Sequence, residues 1–460
     1  MNKVVSLHER RKNSSRRQPV RVRKQVQYKS TFDYAMIVTL VLLVCFGLVM
    51  VFSASYYMAE TKEQGAEYYF VKQLVCVGIG AILTLFFMFF DYKNYLRFPV
   101  EKHPWMKPLE KIRPYWIILV LGLISLALVY SPIGVNINGS RRWINVGISI
   151  QPSEIMKMAL IIFLACSIGK DPRRVKQFKG LFPYLMLLLM VCAIIYFQPN
   201  FSAIICIVAL VLSLLMVGGA RLPHLGIIVA VGLAAVLLLV AKESYRADRL
   251  EALADPSSNW QLKQSLYSIG AGGLFGRGLG NSMQKLLYLP YRESDFIFAI
   301  IAEELGFVGC LAVLVLFGIL IWRGVVVAMR APDLTGMLLA TGAVAMIAIQ
   351  VIVNIGVNVG LIPPTGVVLP FISYGGSGVI IFMSMVGIML NVSRHCAPVV
   401  PVKEMGEVRV RRRDESAEEE PEAPRRRKNR EAGTEKAPIA FAEEAERRRR
   451  ERQEREQRRT

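Results

Sequence analysis

The chain has 460 residues, 53% of them hydrophobic, with a mean hydropathy of +0.40 and a formal charge of +21. Such apolar content argues against a soluble globular protein. Combined with the positive charge, it points to charges sorted to the ends of membrane spans.

The first apolar run starts near Tyr34, after a basic arm over 1–33 that holds ten basic residues and the acids Glu9 and Asp33. No cleavable signal peptide precedes it, and the run is long enough to span. A spanning helix needs about 20 mostly apolar residues. Ten runs meet that pattern: 34–55, 69–90, 114–131, 153–169, 182–198, 200–218, 222–241, 296–322, 333–357 and 372–394. The predicted fold is an all-α polytopic membrane protein, 34–395, of ten transmembrane helices. A large structured extracytoplasmic loop, 242–295, joins helices seven and eight.

Basic residues set the orientation. Lys93, Arg97, Lys102, Lys107, Lys111 and Arg113 follow span two, and Lys170, Arg173, Arg174, Lys176 and Lys179 follow span four. Arg323 and Arg330 follow span eight. All share one side with the basic arm if both termini are cytoplasmic. The outer loops are then 56–68, 132–152, a short turn at 199, 242–295 and 358–371. A structured loop as long as 242–295 is usually functional.

The tail, 396–460, has 19 basic and 16 acidic residues, so it is a polyampholyte. Its charge blocks and prolines read as mostly disordered, with a charged helix over 443–459. It reads as a solvated segment or a weak contact for anionic lipid or a cytoplasmic partner. With no aromatic platform, it does not read as a nucleic-acid binder.

Ionisable residues inside spans are costly, about 2.5–3.5 kcal/mol each at mid-helix, so they face protein or water. Here they are Lys72, Glu154, Lys157, Glu303 and Glu304. Glu154 and Lys157 are three apart and can pair on one helix face. Asp295 opens span eight at the outer rim, where it or Ser294 would also serve as a helix N-cap. Continuing one helix from Asp295 puts Glu303 about 12 Å deeper and rotates it by about 80°, with Glu304 opposite. The two glutamates therefore read as members of structural ion pairs, with Lys72 or Lys157 as partners.

The seven cysteines, Cys45, Cys76, Cys166, Cys192, Cys206, Cys310 and Cys396, form no C-x-x-C pair and read as apolar filler. The four histidines, His8, His103, His224 and His395, are scattered and build no histidine metal site. The run from Gly270 to Gly280 looks like a nucleotide loop but has no preceding strand and no G-K-[ST]. It reads as a closely packed or re-entrant segment. The outer cations Arg141, Arg142, Arg246, Arg249, Lys263, Arg277, Lys285 and Arg292 suit phosphate oxygens. Trp143 and Trp260 read as interface anchors or sugar-stacking rings. An outward carboxylate beside such cations at a membrane groove suggests a lipid-linked phosphate substrate.

Several separated motifs carry a family resemblance. They are Asn138-Gly-Ser-Arg-Arg-Trp-Ile144, Gln151-Pro-Ser-Glu-Ile-Met-Lys157, Gln198-Pro199, Tyr245-Arg-Ala-Asp-Arg249 with Asp255-Pro256, and Gln264 to Gly273. Further on stand Tyr288-Leu-Pro290, Ser294-Asp-Phe-Ile-Phe-Ala299 with Glu303-Glu-Leu-Gly306, and Leu369-Pro-Phe-Ile-Ser-Tyr-Gly-Gly-Ser377. Across about 34–395 the chain resembles the SEDS family (shape, elongation, division and sporulation) of peptidoglycan polymerases. The run from Gly278 to Lys285 resembles the FtsW- and SpoVE-like branch rather than the RodA branch.

The resemblance implies a glycosyltransferase that polymerises lipid II at the outer face of the bacterial cytoplasmic membrane, at the division septum. It implies Asp295 as the catalytic residue. Arg141, Arg142, Trp143, Glu154, Lys157, Gln198, Arg246, Arg249, Lys285, Ser373 and Tyr374 are the candidates for substrate binding. The reaction forms a β-1,4 link with inversion. Implied partners are a class B penicillin-binding transpeptidase and other divisome proteins. A divalent cation would suit the chemistry, but the sequence shows no ligand set for one. A flippase for the same lipid and a divisome scaffold are the alternatives. The chain departs from the family pattern in two places. Gln198-Pro-Asn-Phe-Ser202 replaces Gln-Pro-Asp-x-Gly, and Leu289-Pro-Tyr291 replaces Leu-Pro-Glu, with Glu293 the next acid.

Overall fold

The computed structural model describes residues 32–63, 65–97, 113–137, 140–145, 147, 149–241, 255 and 258–396. Residues 1–31 of the basic arm, 397–460 of the charged tail, and Arg246 and Arg249 lie outside them. Among the described residues there are eleven α-helices: α1 Tyr34–Thr61, α2 Tyr68–Phe89, α3 Pro114–Leu128, α4 Pro152–Lys170, α5 Phe178–Tyr196, α6 Phe201–Val217, α7 Leu222–Ala241, α8 Trp260–Gly272, α9 Ile297–Arg330, α10 Leu334–Asn358 and α11 Ser377–His395. By length and composition, α1, α2, α4, α5, α9, α10 and α11 can cross a membrane. The shorter apolar helices α3 and α6, with α7, stand at the other three apolar runs.

Local chemistry fixes several helix starts. Asp33 caps α1 by accepting from the Met36 N–H at 3.2 Å, and Asp333 caps α10 through Gly336 N–H at 2.7 Å. Pro114 and Pro152 open α3 and α4, where a missing N–H costs nothing. At α6 the Asn200 side chain accepts from Ala203 N–H at 3.3 Å, so the asparagine in the departed motif acts as a cap.

Helices α4, α10 and α11 form the buried centre, while α2, α5 and the long part of α9 turn much of their apolar surface outward. In a bilayer that surface meets lipid. Close backbone contact joins centre to rim. A Cβ at Gly47 of α1 would fall 2.5 Å from the Phe371 carbonyl oxygen, so the loop after α10 presses directly on α1.

Two findings depart from the expectation, one from its all-α class and one from its count of ten helices. A small antiparallel sheet, β1 Gly134–Ile137, β2 Ser140–Asn145 and β3 Ser149–Ile150, occupies the predicted loop 132–152. Val135 pairs with Trp143 and Ile144 with Ile150. In addition, α8 stands inside the predicted loop 242–295, capped by Asn259 through Leu262 N–H at 3.1 Å.

Candidate active site

Asp295 lies just before α9 rather than on it. The helix N-cap is Phe296, which makes no side-chain cap bond, so the capping role expected of Ser294 or Asp295 is not the one observed. The angular relation expected between Asp295 and the glutamates fails for the same reason. The half-buried Asp295 is held by its main chain. Its carbonyl accepts from Asn354 Nδ2 at 2.8 Å and Asn358 Nδ2 at 3.0 Å, and both asparagines are fully buried on α10. Asn358 Oδ1 also accepts from Ala299 N–H at 3.1 Å, fixing the first turn of α9.

The loop 369–376 stitches the preceding residues. Ser373 Oγ donates to the Ser294 carbonyl at 2.6 Å and accepts from Leu369 N–H at 2.8 Å. Tyr374 N–H donates to the Glu293 carbonyl at 2.8 Å, and Gln73 Nε2 of α2 donates to the Ser373 carbonyl at 3.1 Å. Across from Asp295 stands Gly366. A Cβ there would come 3.4 Å from Asp295 Oδ2, and its φ of +71° is one that side chains rarely adopt. Tyr291 and Phe371, with φ of 55° and 64°, carry the same left-handed backbone in the two stitched loops. For bulky residues that strain costs of order 1–3 kcal/mol each and tends to cluster at functional sites.

Ser373 through its hydroxyl and Tyr374 through its backbone N–H therefore both contact the main chain of the Asp295 loop. The Tyr374 ring sits edge-on to Tyr69, 5.2 Å between centroids. Burial pushes its phenol above the ordinary value. Beside it, Glu293 Oε2 is buried without a hydrogen-bond partner among the described residues.

A polar stripe continues inward along α10. Gln350, Asn354 and Asn358 recur every four residues on one face of an otherwise apolar helix. Gln350 Nε2 donates to Glu154 Oε2 at 3.3 Å, and Glu154 Oε1 pairs with Lys157 Nζ at 2.6 Å. The stripe thus links the Asp295 main chain to the buried Glu154–Lys157 pair. A filter for ionisable residues passes over these three amides. Their spacing of four inside an apolar run was the available signal. Gln198, also buried, donates from Nε2 to the Leu126 carbonyl at 2.9 Å and ties α3 to the start of α6.

Glu303 and Glu304 are buried ion-pair members, but with partners other than those expected. Glu303 takes Arg277 at 3.5 Å, Ser268 Oγ at 3.0 Å, Met283 N–H at 2.9 Å and Ser282 Oγ. Glu304 pairs with Lys285 at 3.2 Å and accepts from Ser53 Oγ of α1 at 2.7 Å. The expected partner Lys157 is held by Glu154. The other, Lys72, is exposed, with its ammonium 4.1 Å from the Tyr68 ring centroid.

The outer cations do not form one clamp among the described residues. Arg277 and Lys285 neutralise glutamates. Arg292 is buried, with Nε donating to the Ala54 carbonyl at 3.3 Å; burial lowers its pKa, opposed by the Glu293 charge. On β2, Arg141 is exposed and Arg142 is half-buried with an Nε that has no partner among the described residues. Trp143 follows on the same strand, and Trp260 of α8 donates from Nε1 to the Tyr288 carbonyl at 3.0 Å. Among the described residues no three His, Cys, Asp or Glu side chains gather to hold a metal ion.

The chain has known relatives. The profile of a family described as cell cycle protein, FtsW/RodA/SpoVE, matches residues 33–397. Stage V sporulation protein E of Bacillus subtilis (strain 168) is 41% identical over 80% of this chain and 98% of its own length. The probable peptidoglycan glycosyltransferase FtsW of Trichlorobacter lovleyi is 38% identical over 79% of this chain and 93% of its own length. Among solved structures, a chain of a peptidoglycan synthase complex that coordinates polymerization and crosslinking matches with a TM-score of 0.62 at 27% identity, covering 79% of this chain and 98% of that one. Rod shape determining protein RodA of Thermus thermophilus matches with a TM-score of 0.57 at 27% identity, covering 80% and 99%. With matching sequence over most of its length and a shared polytopic fold, the chain belongs to the FtsW/RodA/SpoVE family of membrane proteins.

Proposed function

We propose that this protein is a peptidoglycan glycosyltransferase that polymerises lipid II, with Asp295 as general base. The observation that carries the reading is the grip on Asp295. Buried amides and stitched loops fix its main chain beside Gly366, in a chain whose relatives are named as peptidoglycan glycosyltransferases. Pre-positioning of a reacting group is a principal source of catalytic rate.

In the proposed step, the Asp295 carboxylate takes the proton of the acceptor sugar's 4-hydroxyl. The oxygen attacks the anomeric carbon of the donor glycan as that carbon's bond to the lipid pyrophosphate breaks. The pyrophosphate leaves from the opposite face with the bonding electrons, so configuration inverts to a β-1,4 link. Arg141 and Arg142 of β2 are the described cations proposed to steady that developing charge, together with Arg246 and Arg249. Lys285, neutralised by Glu304, serves the scaffold instead.

The proposed topology has ten crossings, with α8 and the small sheet on the outer side and both termini in the cytoplasm. The sorting of basic residues supports it. A class B penicillin-binding transpeptidase is the proposed partner and the division septum the proposed place. Unpaired intramembrane charges lining a pathway would favour the flippase alternative. Glu154, Lys157, Glu303 and Glu304 all have neutralising partners, which removes much of that support. The test is purified Asp295→Ala with its transpeptidase partner, given lipid II. Loss of glycan product with the fold intact is expected, and undiminished product overturns the assignment.

A further inference from the structure

The glycine-rich run that the proposed chemistry leaves unused is spliced into α9. At Gly306 the helix is interrupted, with φ of 68° and ψ of −163°. The interruption frees carbonyls on one side and N–H groups on the other. The run satisfies both sets. Arg277 N–H donates to the Glu303 carbonyl and Gly278 N–H to the Glu304 carbonyl, each at 2.9 Å. In return Phe307 N–H donates to the Gly273 carbonyl at 2.9 Å and Val308 N–H to the Leu274 carbonyl at 3.1 Å. A Cβ at Gly276 would fall 2.2 Å from the Glu304 carbonyl oxygen, so only glycine permits this splice. Between these bonds Leu274 and Phe275 project outward, 66% and 81% exposed.

The depth of that tip can be read from two neighbouring helices. Arg323 of α9 is bonded to Asp33 at the start of α1, at 2.9 and 2.6 Å. Near the other end, Glu304 of α9 is bonded to Ser53 of α1. The stretch from Asp33 to Ser53 and the stretch from Glu304 to Arg323 each rise about 30 Å at 1.5 Å per residue. That is about the thickness of a bilayer's hydrocarbon core. The two polar clusters therefore mark its two boundaries. The tip is bonded at Phe307 and Val308, about 5 Å inside the boundary marked by Glu304. Phe307, Val308, Leu311 and Val315 are themselves exposed, so Leu274 and Phe275 extend the lipid-facing strip of α9. Arg277, next along the run, reaches back to Glu303 at the boundary, as a charge beside lipid does.

We propose that the Leu274–Phe275 tip is inserted among the acyl chains of the leaflet on the Asp295 side, anchoring the Asp295 loop at a fixed membrane depth. The occupant of this apolar surface is lipid. The Gly273 and Leu274 carbonyls and the Gly276 N–H are satisfied by main-chain bonds, which lowers the cost of irregular backbone close to the boundary. On the proposed topology this is the outer leaflet, where a lipid-linked sugar phosphate presents its headgroup. The link to substrate rests on the proposed function, whereas the insertion itself does not.

The insertion is tested without catalysis. A polarity-sensitive fluorophore is attached at Phe275→Cys in a chain whose native cysteines are replaced, reconstituted in liposomes. Blue-shifted emission is expected, quenched by acyl-brominated phospholipid severalfold more than by aqueous iodide, and most by bromine placed near the headgroup end. Iodide-dominated quenching overturns the proposal. A photoreactive benzoyl-phenylalanine at 275, in the otherwise unchanged chain, covers failure of the cysteine-free variant to fold. Adducts with phospholipid are expected, and adducts only with a protein chain overturn the proposal. The depth role is read from Leu274→Asp/Phe275→Asp. A severalfold loss of polymerisation in liposomes with little loss in detergent is expected, and equal loss in both overturns that role.

Discussion

Asp295 and Glu303 are eight residues apart yet are held in opposite ways. At Asp295 the amides of Asn354 and Asn358 grip the main-chain carbonyl. At Glu303 the donors converge on the carboxylate itself, from Ser268, Arg277, Ser282 and Met283. The Glu303 carboxylate oxygens are thus committed to the scaffold around them. A residue fixed through its backbone keeps its position independently of the side chain's protonation state. Main-chain anchoring of this kind suits a positioned base, and donors converging on the carboxylate mark Glu303 as a structural charge.

The largest expected effect is at Asp295. Asp295→Asn should lower polymerisation by about 10²–10⁴-fold, the range of a lost general base, while melting temperature stays near wild type. Measuring both on one preparation breaks the comparison if stability falls as well. Glu304→Ala should do the reverse. It leaves Lys285 buried without its charge partner, at a cost of about 3–5 kcal/mol read as a lowered melting temperature in detergent.

Asn354→Ala sharpens the contrast. It removes one grip on the Asp295 carbonyl and one on the Val367 carbonyl. A displacement of the base by about 1 Å costs of order 10²-fold. The expected loss is in kcat, with KM for lipid II little changed. A matched loss in both would assign Asn354 to substrate binding. The smallest effect is at the α6 cap, where Asn200→Ala should cost about 1 kcal/mol in melting with kcat retained. Asn200→Asp should keep that stability.

The helices were legible because apolar runs long enough to span leave few other choices, and α7 falls at the predicted 222–241. The candidate site was suggested only through motifs. Composition and period alone left Asp295 as either cap or catalyst. The errors share a physical origin. Glu303 and Glu304 find their partners, Arg277 and Lys285, 26 and 19 positions back along the chain across a glycine-rich splice, which no helical period encodes. The sheet over 134–150 is built from strands of two to six residues, too short for alternation to register. The stripe on α10 was present in the sequence, but its members are neutral amides.

That stripe makes α10 a ruler. Gln350 reads the Glu154–Lys157 pair and Asn354 reads the Asp295 loop, one step apart on the same rod. Their vertical offset is set by helical pitch, about 6 Å for four residues, and needs no adjustable loop. Inserting a single residue between them would turn one mark away from the other by about 100°. Helix length there is thus under a stricter constraint than side-chain volume, and a phase shift would disconnect rim from interior without removing a single polar group.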